Sequence, residues 1–121
     1  MVFAALFAGK TSAQKFEKEF AVAKNQQIEI VNLFGRVNVS VDEKSEKAIL
    51  KFQSGKESSV LAAHKGSRLQ IEVNSTDSRS RIDLDLIVPA RIRLKIETSD
   101  GEVRIGGNFE SVEIKTGTGS I

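Results

Sequence analysis

Apolar and polar residues alternate with a period of two along most of this chain, the pattern of strands that bury one face. Arg68-Leu69-Gln70-Ile71-Glu72-Val73, Ile82-Asp83-Leu84-Asp85-Leu86 and Leu94-Lys95-Ile96-Glu97 show it most cleanly. Phe16, Phe20 and Val22 fall on one face of a first strand, with Glu17 and Glu19 on the other and Lys18 out of pattern. Ala48 to Gln53 predicts a further strand, and Val60 to Ala63 is a short apolar piece. Polar turns separate these segments. Pro89, the only proline, lacks a donor for a sheet ladder and marks the end of the strand before it.

One unit recurs. Leu94 to Val103 and Val112 to Ile121 align on their glycines at a spacing of eighteen residues, and Ile28 to Val39 is an earlier copy. Each has alternating apolar and polar positions, a turn with glycine, and an apolar residue two positions after it. The turn glycines are Gly35, Gly101 and Gly119. The expected core positions are Ile28, Ile30, Val37, Leu94, Ile96, Val103, Val112, Ile114 and Ile121. Self-similarity at a short period points to stacked β units. Asp100-Gly101 also fits a tight hairpin with positive φ at both central residues. The charges favour stacking: an eighteen-residue register sets Lys95 beside Glu113 and Glu97 beside Lys115, and lays Thr98 over Thr116. The expectation is an all-β fold of strand repeats, a β-solenoid or β-helix-like stack with an N-terminal antiparallel portion.

Composition narrows the chemistry. The chain has 121 residues, 40% of them hydrophobic and 28% charged, which suits one globular domain. Lys and Arg number 18 against 16 Asp and Glu, mixed along the chain, so a net charge of +2 gives no basis for nucleic-acid binding. With no Cys and one His, thiol chemistry and cysteine-based zinc sites are excluded. No cofactor is implied, and no stretch reaches the roughly 20 apolar residues of a membrane-spanning helix.

The ends read differently from the middle. Val2-Phe3-Ala4-Ala5-Leu6-Phe7-Ala8 followed by Thr11-Ser12-Ala13 resembles the end of a secretory signal peptide cleaved after Ala13. Residues 1–14 are therefore expected to be a signal remnant, and residues 15–121 a single β-repeat domain. The last copy stops at Ile121, one apolar residue after its turn, which suggests a truncated repeat. Unpaired strand edges left there would favour edge-to-edge self-association.

The opening strand at Phe16 to Val22, the Ile28-to-Val39 unit, the Ile87-Val88-Pro89 step and the repeats at Gly101 and Gly119 together resemble a bacterial putative-adhesin family of β-strand-repeat proteins, an exported domain of unknown function. The resemblance implies a non-enzymatic module of the cell envelope, periplasmic, on the outer envelope or secreted. Its partner would be a protein or an envelope polymer. The alternatives are a polysaccharide-active β-helical enzyme and a regulatory or sensory envelope domain.

Candidate chemistry is sparse. Asp83 and Asp85 share a strand face roughly 7 Å apart. They could serve acid/base or calcium chemistry, but a solvated face opposite Arg91, Arg93 or Lys95 accounts for them, and calcium needs six or more oxygens. Gly106-Gly107-Asn108 lacks the continuation of a calcium-binding β-roll, and Gly117-Thr118-Gly119 lacks the helix start of a phosphate cradle. His64, beside Lys65-Gly66, reads as a turn residue. Arg79, Arg81, Arg91 and Arg93 form the densest basic cluster, interrupted by Asp83 and Asp85.

Overall fold

The computed structural model describes residues 14–23, 25–54, 59–73 and 81–117. The apolar run, the expected cleavage position, Arg79, Gly119 and Ile121 lie outside them. Among the described residues ten strands form in chain order: β1 (Gln14–Ala21), β2 (Gln27–Val31), β3 (Val37–Val41), β4 (Lys47–Ser54), β5 (Val60–Lys65), β6 (Arg68–Val73), β7 (Leu84–Val88), β8 (Arg93–Glu97), β9 (Val103–Gly106) and β10 (Ser111–Lys115). They build two open five-stranded sheets. Sheet A has the order β1-β4-β7-β3-β9 and sheet B the order β10-β8-β2-β6-β5.

Period-two alternation creates the core. Ile28 and Ile30 of β2, Leu69 and Ile71 of β6, and Leu94 and Ile96 of β8 point inward from sheet B. Val37 and Val39 of β3, Leu84 and Leu86 of β7, Leu50 of β4 and Val103 of β9 do so from sheet A. All are buried. The repeats at Ile28 and Leu94 each contribute one strand to each sheet, β2 then β3 and β8 then β9; β6 then β7 does the same, and the repeat at Val112 adds β10 to sheet B.

Within sheet B the units stack parallel. Leu94 lies beside Val112, Lys95 beside Glu113, Ile96 beside Ile114 and Glu97 beside Lys115. Ile28 pairs with Leu94 on one side of β2 and with Leu69 on the other. Antiparallel pairs occur at one flank, where β1 joins β4, β4 joins β7 and β5 joins β6.

A β-solenoid climbs in chain order, and this chain does not. The β2–β3 unit lies between the units β6–β7 and β8–β9, so the fold is a pair of mixed sheets. The reason is in the repeat itself: units with the same apolar and polar positions can stack on one another in any sequence. Asp100-Gly101 does not close a hairpin either, since β8 and β9 enter different sheets.

Val112 departs from its expected inward burial and is 43% exposed, while Ile114 is partly buried. Their strand, β10, is the edge of sheet B, and among the described residues sheet A has no strand beyond β9 to cover it. His64 lies within β5 rather than in a turn, and its ring meets the edge of Phe20 at a centroid distance of 6.3 Å.

Candidate functional site

The turns that carry the repeat glycines stack as closely as the strands. Asn32 N–H donates to Glu97 O at 3.0 Å, and Ser99 and Asp100 N–H donate to Leu33 O at 3.1 and 2.8 Å. On the far side of that turn, Thr98 N–H donates to Lys115 O at 2.9 Å and Gly117 N–H to Thr98 O at 3.2 Å. A Cβ at Gly101 would collide with the carbonyl oxygen of Gly35, and one at Gly35 with that of Ile82. Among the described residues the glycines with positive φ are Gly66 and Gly107. Gly35 and Gly101 are required for close approach between turns, not for an unusual φ.

Asn32, which the repeat alignment does not single out, is fully buried in this column. Its Nδ2 donates to Ile82 O at 2.8 Å, linking its turn to the strand entry of the neighbouring unit. Thr98 occupies the equivalent place one unit away. A polar residue immediately after the strand in each copy, at Asn32, Thr98 and Thr116, is the sequence signal for this column.

The outer face of sheet A holds the candidate binding site. Sheet pairing lines up Glu17, Lys51, Asp85, Asn38 and Arg104 in one row across all five strands. All five are exposed, because each stands at an outward position of its strand. Asn38 Nδ2 donates to Asp85 Oδ1 at 3.1 Å. Alongside, the Arg36 backbone N–H donates to Asp83 Oδ1 at 2.8 Å. Glu102 is shared between Arg36 Nε and Arg104 Nε, each at 3.3 Å. Lys15 and Gln53 complete that second row on β1 and β4.

All of these residues except Glu102 border an open groove of about 860 Å³. Arg81 also lines it, and Phe16 and Phe52 close its floor, their tilted rings 5.2 Å apart on the inner face of the sheet. Donors and acceptors are interspersed along both rows. Such a surface can hydrogen-bond a hydroxylated or charged polymer along its length.

Asp83 and Asp85 do share this face, but their neighbours come from β3 and β4. The expected Arg91, Arg93 and Lys95 are elsewhere: Arg93 and Lys95 are on β8 of sheet B, and Arg91 sits in the preceding turn with φ +64°. Among the described members of the basic cluster, Arg81 lines the groove and Arg91 and Arg93 do not. On sheet B, Lys95 reaches Glu29 of β2 at 3.8 Å. Among the described residues no three His, Cys, Asp or Glu side chains are grouped to hold a metal ion, and no helix is long and apolar enough to cross a membrane.

No protein-family model matches the chain, and no curated protein matches it. Solved structures do. A "putative cell adhesion protein" from Clostridium sporogenes superposes with a TM-score of 0.59 and 13% identity, over 88% of this chain and 59% of that one. A "putative adhesin" from Bacteroides fragilis gives a TM-score of 0.50 and 11% identity, over 88% of this chain and 60% of that one. The chain shares its fold with these adhesin-like proteins. The likeness agrees with the resemblance read from the repeats, and at this identity it concerns the fold alone. The chain spans less than two thirds of the length of either structure. In the adhesin-like fold of this chain, both charged rows lie on the outer face of the sheet that contains β3, β7 and β9.

Proposed function

We propose that residues 15–121 form a non-enzymatic, exported interaction module of the bacterial cell envelope, which binds a protein or an envelope polymer along the outer face of sheet A. The observation that carries this reading is the fold shared with the Clostridium sporogenes cell-adhesion structure. The groove supports it by offering interspersed donors and acceptors on a rigid sheet. The apolar residues before Ala13 support export.

The test has two arms. Tagged protein expressed in its native host should fractionate with the envelope or the medium, with an N-terminus created after Ala13. Recovery from the cytoplasm with Met1 retained would sink the export reading. In the second arm, purified protein is screened against envelope glycans and surface proteins. Binding without turnover, weakened in Lys51→Glu, is expected. Asp83 and Asp85 both line the groove, so a polysaccharide-active enzyme is tested in the same screen. Glycan cleavage that disappears in the Asp83→Asn, Asp85→Asn double variant would replace the binding reading with that one.

A further inference from the structure

One row on the outer face of sheet B breaks the charge pattern around it. Strand pairing aligns Ser111 of β10, Arg93 of β8, Gln27 of β2, Arg68 of β6 and Lys65 of β5. Three cations stand in this row and no acid does. All three are exposed, and among the described residues none of their side chains has an ion pair or a hydrogen bond.

The neighbouring arrangements set opposite charges side by side. In the next row Lys95 stands between Glu113 and Glu29 and pairs with Glu29 at 3.8 Å, and on sheet A Lys51 stands between Glu17 and Asp85. Arg68 beside Lys65 does the reverse, and like charges directly across a strand pair are destabilising. A lysine on an edge strand can serve to keep other strands away, but β6 and β8, which carry the arginines, lie inside the sheet.

A second cost falls at the same end of sheet B. Arg91, in the turn that leads into β8, has φ +64°. Asn25 N–H donates to its carbonyl at 3.0 Å, and its own N–H donates to Asn108 O at 3.1 Å. Asn25 has φ +65° in the adjoining turn, a conformation that asparagine tolerates and arginine does not adopt without strain. Stability is thus given up twice where β2, β6 and β8 begin, and both times a positive charge is kept there.

We propose that this row binds a linear polyanion, a polymer with carboxylate or phosphate groups along its length, laid across the strands from β8 to β5. Arg93 and Arg68 are two strands apart, about 10 Å between Cα atoms, and Lys65 follows one strand further on. Each guanidinium can hold an anionic group bidentately, and the Gln27 amide can donate between them.

The acids of the same face favour a chain over a membrane surface. Glu113, Glu29, Glu97 and Glu72 occupy the rows beyond, so a flat anionic surface would meet them together with the cations. A polymer that follows the row meets the cations alone. No aromatic side chain stands at an outward position of these strands, which leaves the bases of a nucleic acid nothing to stack on. The row is also clear of the interruptions in the described chain. Except at position 24, these lie at the opposite end of the strands, beside Gln14, Ser54, Val73 and Gly117. None of its residues belongs to the groove on sheet A, so neither reading depends on the other.

The full chain should be titrated at low salt with polygalacturonate, which carries carboxylates, and with inorganic polyphosphate, with neutral dextran as the control. Binding to at least one polyanion is expected, weakening steeply as salt is added, and the polymer that binds identifies the anionic group. Arg68→Glu and Arg93→Glu should each weaken it about tenfold or more. Lys115→Glu makes the same change of net charge on the same face, two rows away, and should leave the affinity as it was. Loss of binding to a ligand of the groove in Lys51→Glu would not touch this result. The proposal is overturned if neither polymer binds, or if Lys115→Glu weakens binding as much as Arg68→Glu, since net charge alone would then account for it. Tighter binding to phosphatidylglycerol vesicles than to either polymer would also overturn it, and would make the face a membrane contact.

Discussion

At Gly101 the constraint is space. Its Cα faces the Gly35 carbonyl of the adjoining turn, and Asp100 N–H is bonded to Leu33 O in that same turn, so the two backbones cannot separate cheaply. Gly101→Ala should destabilise the protein by about 3 kcal/mol, read as a lower urea midpoint at unchanged slope. Thr98 offers the opposite case. Its Oγ1 is buried without a hydrogen-bond partner among the described residues, so the hydroxyl costs desolvation and returns nothing. Thr98→Val should raise stability by about 1 kcal/mol, seen as a Tm several degrees higher. The repeat identifies the glycine positions in the sequence, but not the reason for them. An Asp-Gly turn suggests positive φ, and the steric requirement becomes visible only when the neighbouring turn is in place. Thr98 over Thr116 is legible in the same way, whereas the missing partner of the hydroxyl is a property of packing.

β8 and β10 have the same apolar and polar pattern and lie side by side in the register set by the eighteen-residue period. Their energetic weights differ because depth in the stack differs. Ile96 has sheet A above it and is fully buried, while Ile114 on the edge strand is only partly covered. Ile96→Ala should cost about 3 kcal/mol and Ile114→Ala about 1, a contrast that thermal or urea unfolding of the two variants resolves. Strand positions, inward faces and the β8–β10 register are legible because each depends on residues a fixed distance apart. The order of units is not. Lys95 shows why: Glu113 and Glu29 are both acceptable neighbours, β8 lies between the strands that carry them, and the ion pair forms with Glu29.

The groove depends on this longer-range order. Asp85 is flanked by Asn38, forty-seven positions earlier, and by Lys51 on the other side. Nothing local in β7 points to β3 and β4 as its neighbours, and reading Arg91 or Arg93 into that place assumed that adjacent segments pair. Charge alternation along each strand is legible, but its assembly into two rows across five strands is not.

The position of β2 has a consequence in time. It is an early segment of the chain, yet its ladder partners are β6 and β8, so one of its edges stays open until residues as late as Glu72, and the other until residues as late as Glu97, have been made and docked. A protein stacked in chain order could add each turn to a finished one. Here the middle is laid down early and completed late, across loops whose closure is entropically costly. Such a chain should mature slowly, and until it does its central strand is its most exposed template for mispairing.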